Sequence, residues 1–162
     1  MDARERLLDD HNAVGEVLKQ LLTALDNKDV QTSHAKLDLL WARLAVHIRA
    51  EHLHLFPAIA SKTTAAQPTI ETLRVDHDFF MRELAHAIRL LRDETNLTAV
   101  TGIVREVEKR LTTHNEIEEH QIYRWSSTML TEPEQLDLLA RINAELENRP
   151  PRFSAEAWAN SL

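Results

Sequence analysis

Four histidines and two glutamates stand at spacings that suit metal ligation. His11 falls between Leu8 and Val14, His47 between Leu44 and Ile48, and His77 between Leu73 and Phe80, while His114 follows Leu111. Each therefore interrupts an apolar helical stripe and points an imidazole at a common core. Two of them carry a carboxylate four residues on, as His47-x-x-x-Glu51 and His114-x-x-x-Glu118. That spacing puts both side chains on one helix face, one turn apart. A glutamate turned into an apolar core is costly unless a cation or a partner meets it. A single histidine on an apolar stripe is most simply a satisfied core residue. Four at matched positions, with two matched glutamates, point to metal ligands: His11, His47, Glu51, His77, His114 and Glu118.

The layout repeats. His11 and His47 lie 36 residues apart, His77 and His114 lie 37 apart, and each half ends in a His-x-x-x-Glu pair. Asp10-His11-Asn12 resembles Asp76-His77-Asp78, and Ala50-Glu51-His52 resembles Ile117-Glu118-Glu119. Two helical hairpins meeting about a pseudo-twofold axis, with one metal per half, would produce this pattern.

The elements that must position these residues follow from periodicity. Apolar residues recur at helical spacing over about residues 2–26, 33–60, 69–94 and 97–129. Only two glycines and five prolines occur in 162 residues, so long helices are favoured over tight-turned sheet. Short breaks at Asn27-Lys28-Asp29 and Ser61–Pro68, and a cap at Asn96, predict antiparallel neighbours. Thr131-Glu132-Pro133-Glu134 has capping-box spacing and predicts a fifth, shorter helix ending near Asn148. The expectation is an all-α, antiparallel up-down four-helix bundle over residues 1–131. A C-terminal helix and tail, 132–162, would pack on it or trail from it.

Bulk properties narrow the partners. A net charge of −7 argues against nucleic acid and anionic membrane surfaces. Without cysteine there is no thiolate ligand, disulfide or iron–sulfur cluster held by this chain. No apolar signal core or membrane span is evident, which makes the cytoplasm the expected location.

The pattern closely resembles the hemerythrin-like family of HHE cation-binding domains. The matching elements are His11, then His47-Ile48-Arg49-Ala50-Glu51 running into Leu55-Phe56-Pro57, then His77, then His114-Asn115-Glu116-Ile117-Glu118. The resemblance covers about residues 5–130. It implies a four-helix bundle around a non-haem di-iron centre, with Glu51 and Glu118 bridging the irons. The oxygen-carrying members use a fifth histidine one turn before the third-helix ligand, where this chain has Leu73. They also use an Asp spaced five after the last histidine, where this chain has Glu118 at spacing four. The set here is similar to that of bacterial hemerythrin-like proteins and the di-iron domains of iron–sulfur repair proteins, without the cysteine-containing extension of many of the latter.

On this reading four imidazoles and two bridging carboxylates give each metal four protein ligands. An oxo or hydroxo bridge makes five and leaves one octahedral position per metal for oxygen, peroxide or nitric oxide. The expected cofactor is a pair of iron ions, with zinc or manganese as alternatives. The expected function is binding, sensing or detoxifying small oxidants, or handling iron, with no catalytic residue assigned. A ferritin-like oxidase would need Glu-x-x-His on the second and fourth helices. The candidates are Glu51-x-x-His54 and Glu83-x-x-His86, the second on the third helix facing outward. A metal-free helical interaction module is the remaining alternative. His34, His52, His86 and His120 are expected in solvent; His54, seven residues after His47 and on the same side, is left open, a supporting or surplus ligand being the lesser alternative. Gly15, four residues after His11, is expected to face inward, either opening a pocket beside one metal or letting two helices approach. Met81 is its counterpart in the other half.

Overall fold

A computed structural model of the chain describes residues 1–93 and 96–147. The tail from residue 148, with Pro150, Pro151 and Trp158, lies outside the described residues, as does Glu94, where the third predicted helix ends. Among the described residues every regular element is helical. Helix α1 spans Ala3–Asp26, and its first turn is closed by a reciprocal capping box between Asp2 and Glu5. Helix α2 spans Val30–Ala50 behind an Asp29 cap. A short helix α3 spans Phe56–Ala60. After a 3₁₀ turn at Thr64–Ala66, α4 spans Gln67–Asp93. Helix α5 spans Leu97–Ile117, capped by the Asn96 side chain on the Ala99 amide at 3.1 Å. Helices α6 and α7 span Tyr123–Met129 and Glu132–Glu147. The capping box expected before α7 is present, between Thr131 and Glu134.

Two stretches depart from the expected unbroken α-helix. Five residues of π-helix, Glu51–Leu55, join α2 to α3, and five more, Glu118–Ile122, join α5 to α6. Each begins at a glutamate of a His-x-x-x-Glu pair. In each, the amide of the residue after the π segment, Phe56 or Tyr123, donates to the glutamate carbonyl five residues back. The wider turn brings the fifth following residue, rather than the fourth, back over the glutamate.

Helix α1 packs on α2, α4 on α5, α2 on α4, and α1 on α5. Helix α7 lies across α1, α2 and the first π segment. The apolar interior falls into two clusters. One contains Leu18, Leu21, Leu37, Trp41, Phe80, Leu84 and Val104; the other contains Leu7, Leu55, Phe56, Ile59, Leu73, Ile122 and Ile142. Burying each such side chain contributes about 1.5–3 kcal/mol. Along α1, α4 and α5 the inward histidine falls where one cluster gives way to the other: His11 between Leu7 and Val14, His77 between Leu73 and Phe80, His114 between Leu111 and Ile122. The polar residues thus form a layer sandwiched between two apolar ones. No helix of the described residues is long and apolar enough to cross a membrane.

Candidate metal centre

That layer contains all six residues singled out by spacing. His47, His77 and His114 are 2% exposed, His11 8%, and Glu51 and Glu118 are fully buried. The imidazoles turn their Nε2 atoms toward the two carboxylates. Glu118 Oε1 lies 3.2 Å from His11 Nε2 and 3.1 Å from His114 Nε2, and its Oε2 lies 3.5 Å from His77 Nε2. Glu51 Oε1 lies 3.4 Å from both His47 and His77 Nε2. The donor atoms fall into two groups able to hold a cation: His11, His47, Glu51 and Glu118, and His77, His114 and Glu118. Glu118 belongs to both, and Glu51 Oε1 also touches a histidine of each half.

Despite these short distances Glu51 Oε1 and both oxygens of Glu118 accept no hydrogen bond. Their neighbours are near enough for ion pairs but not aligned to donate. Buried carboxylate oxygens left this way are costly, and a cation among them removes the cost. The donor set therefore fits metal: imidazole nitrogens and carboxylate oxygens converge at 3.1–3.5 Å, and a cation can replace any protons held among them.

The other ring nitrogen explains the orientation. Asp10 Oδ2 lies 2.8 Å from His47 Nδ1, and Asp76 Oδ2 lies 3.0 Å from His114 Nδ1. Glu119 Oε1 lies 3.0 Å from His11 Nδ1, and His52 Nε2 lies 2.7 Å from His77 Nδ1. A histidine that donates its Nδ1–H to such a partner presents the Nε2 lone pair inward, the tautomer a metal needs. Each Asp comes from the residue before the first histidine of a half and orients the second histidine of that half. Each residue after a buried glutamate of the layer orients the first histidine of the other half.

The charges respond to this packing. Burial works against the charged form of His47, but Glu51 and Asp10 outweigh it and hold the imidazole well above its ordinary value. His114 is pushed up to about 10, with burial opposed by Glu118 and Asp76. Burial would raise Glu118, yet the His114 charge and the other histidines hold it well below the usual carboxylate range. His52 is lowered to about 3 by burial, then by His77 and Arg74, so it is neutral.

Some expectations fail. His52 is half-buried on His77, not in solvent. His54 lies against Glu145 of α7 at 3.2 Å and supports none of the six. The first π segment starts at Glu51 and shifts the register of everything after it, so a 3.6-residue projection from His47 misplaces both. His86 and His120 are exposed and His34 half-buried, all away from the layer. Gly15 is exposed, and a Cβ there would meet nothing within 4 Å, so it neither opens an inner pocket nor permits a close helix approach.

One polar residue of the layer escaped the spacing argument. Tyr123 is fully buried, and its hydroxyl lies 2.8 Å from His11 Nε2, 3.1 Å from His47 Nε2 and 2.8 Å from Glu51 Oε2. Burial and the facing carboxylates Glu118 and Glu51 raise its pKa well above the ordinary phenol value. Its signal was the match of Tyr123, five after Glu118, to Phe56, five after Glu51. Asp10 and Asp76 were equally legible as part of the repeated Asp-His pairs.

Compared with known families, residues 2–126 match the model of the Hemerythrin HHE cation binding domain. No curated protein and no solved structure matches the chain.

Proposed function

The chain belongs to the hemerythrin HHE cation-binding family, and on that premise we propose that it holds two iron ions and uses them to bind, sense or detoxify a small oxidant such as oxygen, peroxide or nitric oxide. His11 and His47 would hold one ion, His77 and His114 the other, with Glu51 and Glu118 shared. The observation that carries this reading is the set of three buried carboxylate oxygens with no hydrogen bond, surrounded by four Nε2 atoms. Mixed imidazole and carboxylate donors suit iron, with zinc and manganese as the competing ions. The adjacency of α1, α2, α4 and α5 closes a ring, which supports an antiparallel four-helix bundle over residues 1–131 with α7 laid against it.

A bound iron pair supplies a site where a small oxidant can be ligated and reduced. The chain's own residues prepare that site. Asp10, Asp76, Glu119 and His52 fix the imidazoles with Nε2 turned inward, where any proton can be exchanged for metal. The apolar clusters above and below keep bulk water out, which strengthens each charge interaction in the layer. Phe56 stacks on His77 with ring centroids 5.9 Å apart, and Phe80 meets His114 edge-on at 5.1 Å. These rings give the second half an apolar wall suited to small, weakly polar molecules.

The test is to load metal-free protein with Fe(II) under anaerobic conditions and then add oxygen, peroxide or nitric oxide in turn. The expected result is an optical change with at least one of them at a stoichiometry tied to bound iron. Iron-loaded protein whose spectrum answers to none of the three would overturn the small-oxidant function.

A further inference from the structure

Resting on the two-metal reading above, we propose that Tyr123 is a protein ligand of the metal held by His11 and His47, and that the His77–His114 half has no counterpart to it. Donors bound side by side on an octahedral ion with bonds of about 2.0–2.2 Å lie about 3 Å from one another. The Tyr123 oxygen keeps that spacing from three donors at once: 2.8 Å from His11 Nε2, 3.1 Å from His47 Nε2 and 2.8 Å from Glu51 Oε2. The same spacing separates the accepted donors His11 and Glu118, at 3.2 Å, and His77 and His114, at 3.0 Å.

Without metal the phenol is held by hydrogen bonds alone. A phenol has one proton to give. Glu51 can only accept, and takes it. His11 and His47 already direct their Nδ1–H groups at Glu119 and Asp10. Once any Nε2 proton is given up, as metal uptake requires, the two Nε2 lone pairs and the phenol oxygen face one another with no donor between them. A cation at that point satisfies all of them. Ligation forms a metal–oxygen bond, breaks the phenol O–H bond and releases the proton to buffer, as thiol and imidazolium ligands do on binding metal.

The repeat shows why this happens once. Tyr123 and Phe56 both follow a bridging-type glutamate by five residues, and both are carried inward by a π segment. Phe56 reaches the other half and stacks on His77, but offers no donor atom. The two metals would then differ in protein donors, the first having one more oxygen, and an added small ligand would favour the second.

Tyr123 is the only tyrosine of the chain, so the unmodified protein decides the question. Metal-free protein is given two equivalents of Fe(II), oxidised in air, and measured by iron analysis, visible absorption and resonance Raman spectroscopy. The expected result is a phenolate-to-Fe(III) charge-transfer band whose excitation enhances tyrosine ring vibrations. Tyr123→Phe should lose both. Two bound irons without that band in the unmodified protein would overturn Tyr123 as a ligand and leave the two-metal reading intact. Failure to take up iron would overturn both.

Discussion

The two halves of the metal layer share a scaffold and differ in chemistry. Each has two inward histidines, an aspartate fixing the second of them, a buried glutamate and a π segment that starts on that glutamate. The differences sit one and five residues after the glutamates. In the first half Glu119 stands behind His11, and Tyr123 faces the donors. In the second half His52 stands behind His77, and Phe56 covers it. The charge behind the second half is further reduced because Arg110 lies 2.9 Å from Asp76, whereas Arg6 reaches Asp10 only at 4.0 Å. Identical positions thus carry an oxygen-rich, anionic surround on one side and a neutral, aromatic one on the other. Duplicated backbone geometry fixes where the donor atoms go; single substitutions on that geometry decide what surrounds them in each half.

The largest expected effect tests what the halves share. Glu118 reaches histidines of both halves, so Glu118→Gln should abolish uptake of both metals. Glu51→Gln, which alters contacts to one histidine of each half and to Tyr123, should disturb both metals as well but retain more. Elemental analysis of the folded variants checks this, and full metal content in Glu118→Gln would break the shared-ligand account.

Next in size are the two aspartates. Residues that orient a metal-bound histidine are typically worth about 10–100-fold in metal affinity. Asp10→Asn should weaken the first-half metal and Asp76→Asn the second by that order, in chelator competition. If either change weakened both metals equally, the halves would not be separable.

Proton linkage gives a smaller effect, and one the halves share. Without metal, protons on His47 and His114 pair with the buried carboxylates. The raised histidines stabilise the fold fully below 6.5, and His114 loses this as pH climbs through about 10. Glu118, depressed, contributes above 4.5 and loses its contribution as pH falls. Metal-free protein should therefore have its highest Tm between about pH 4.5 and 6.5 and decline toward pH 10. Metal-loaded protein should instead gain stability over the metal-free form as pH rises from 5 toward 8, because protons and metal compete for the same lone pairs. A metal-free Tm that rises between pH 7 and 9 would contradict the sign.

The smallest effect lies outside the layer. His86→Ala removes an exposed side chain, and stability should change by no more than about 0.5 kcal/mol, with metal content unaltered.

Much of this was legible in residue spacing because inward positions on a straight helix recur predictably. That is why His11, His47, Glu51, His77, His114 and Glu118 come together as the 3.6-residue projection places them. The projection stops working at the π segments. Beyond Glu51 and Glu118 it sends His52 to solvent and His54 to the side of the ligands, and gives Tyr123 no place among them. No simple residue signature marks where a helix widens by one residue; the repeat itself was the available clue, since Tyr123 matches Phe56 in register. Gly15 failed differently. An exposed helical glycine costs about 1 kcal/mol relative to alanine, and nothing in the structure explains it.

The most direct test of the account is the number of metals per folded chain. Protein stripped of metal, titrated anaerobically with Fe(II) and freed of excess, should retain two irons per chain. An X-ray absorption measurement should then find a metal–metal distance of about 3.5–4 Å, as in other bridged pairs. A folded protein that saturates at one iron or fewer would contradict the paired centre.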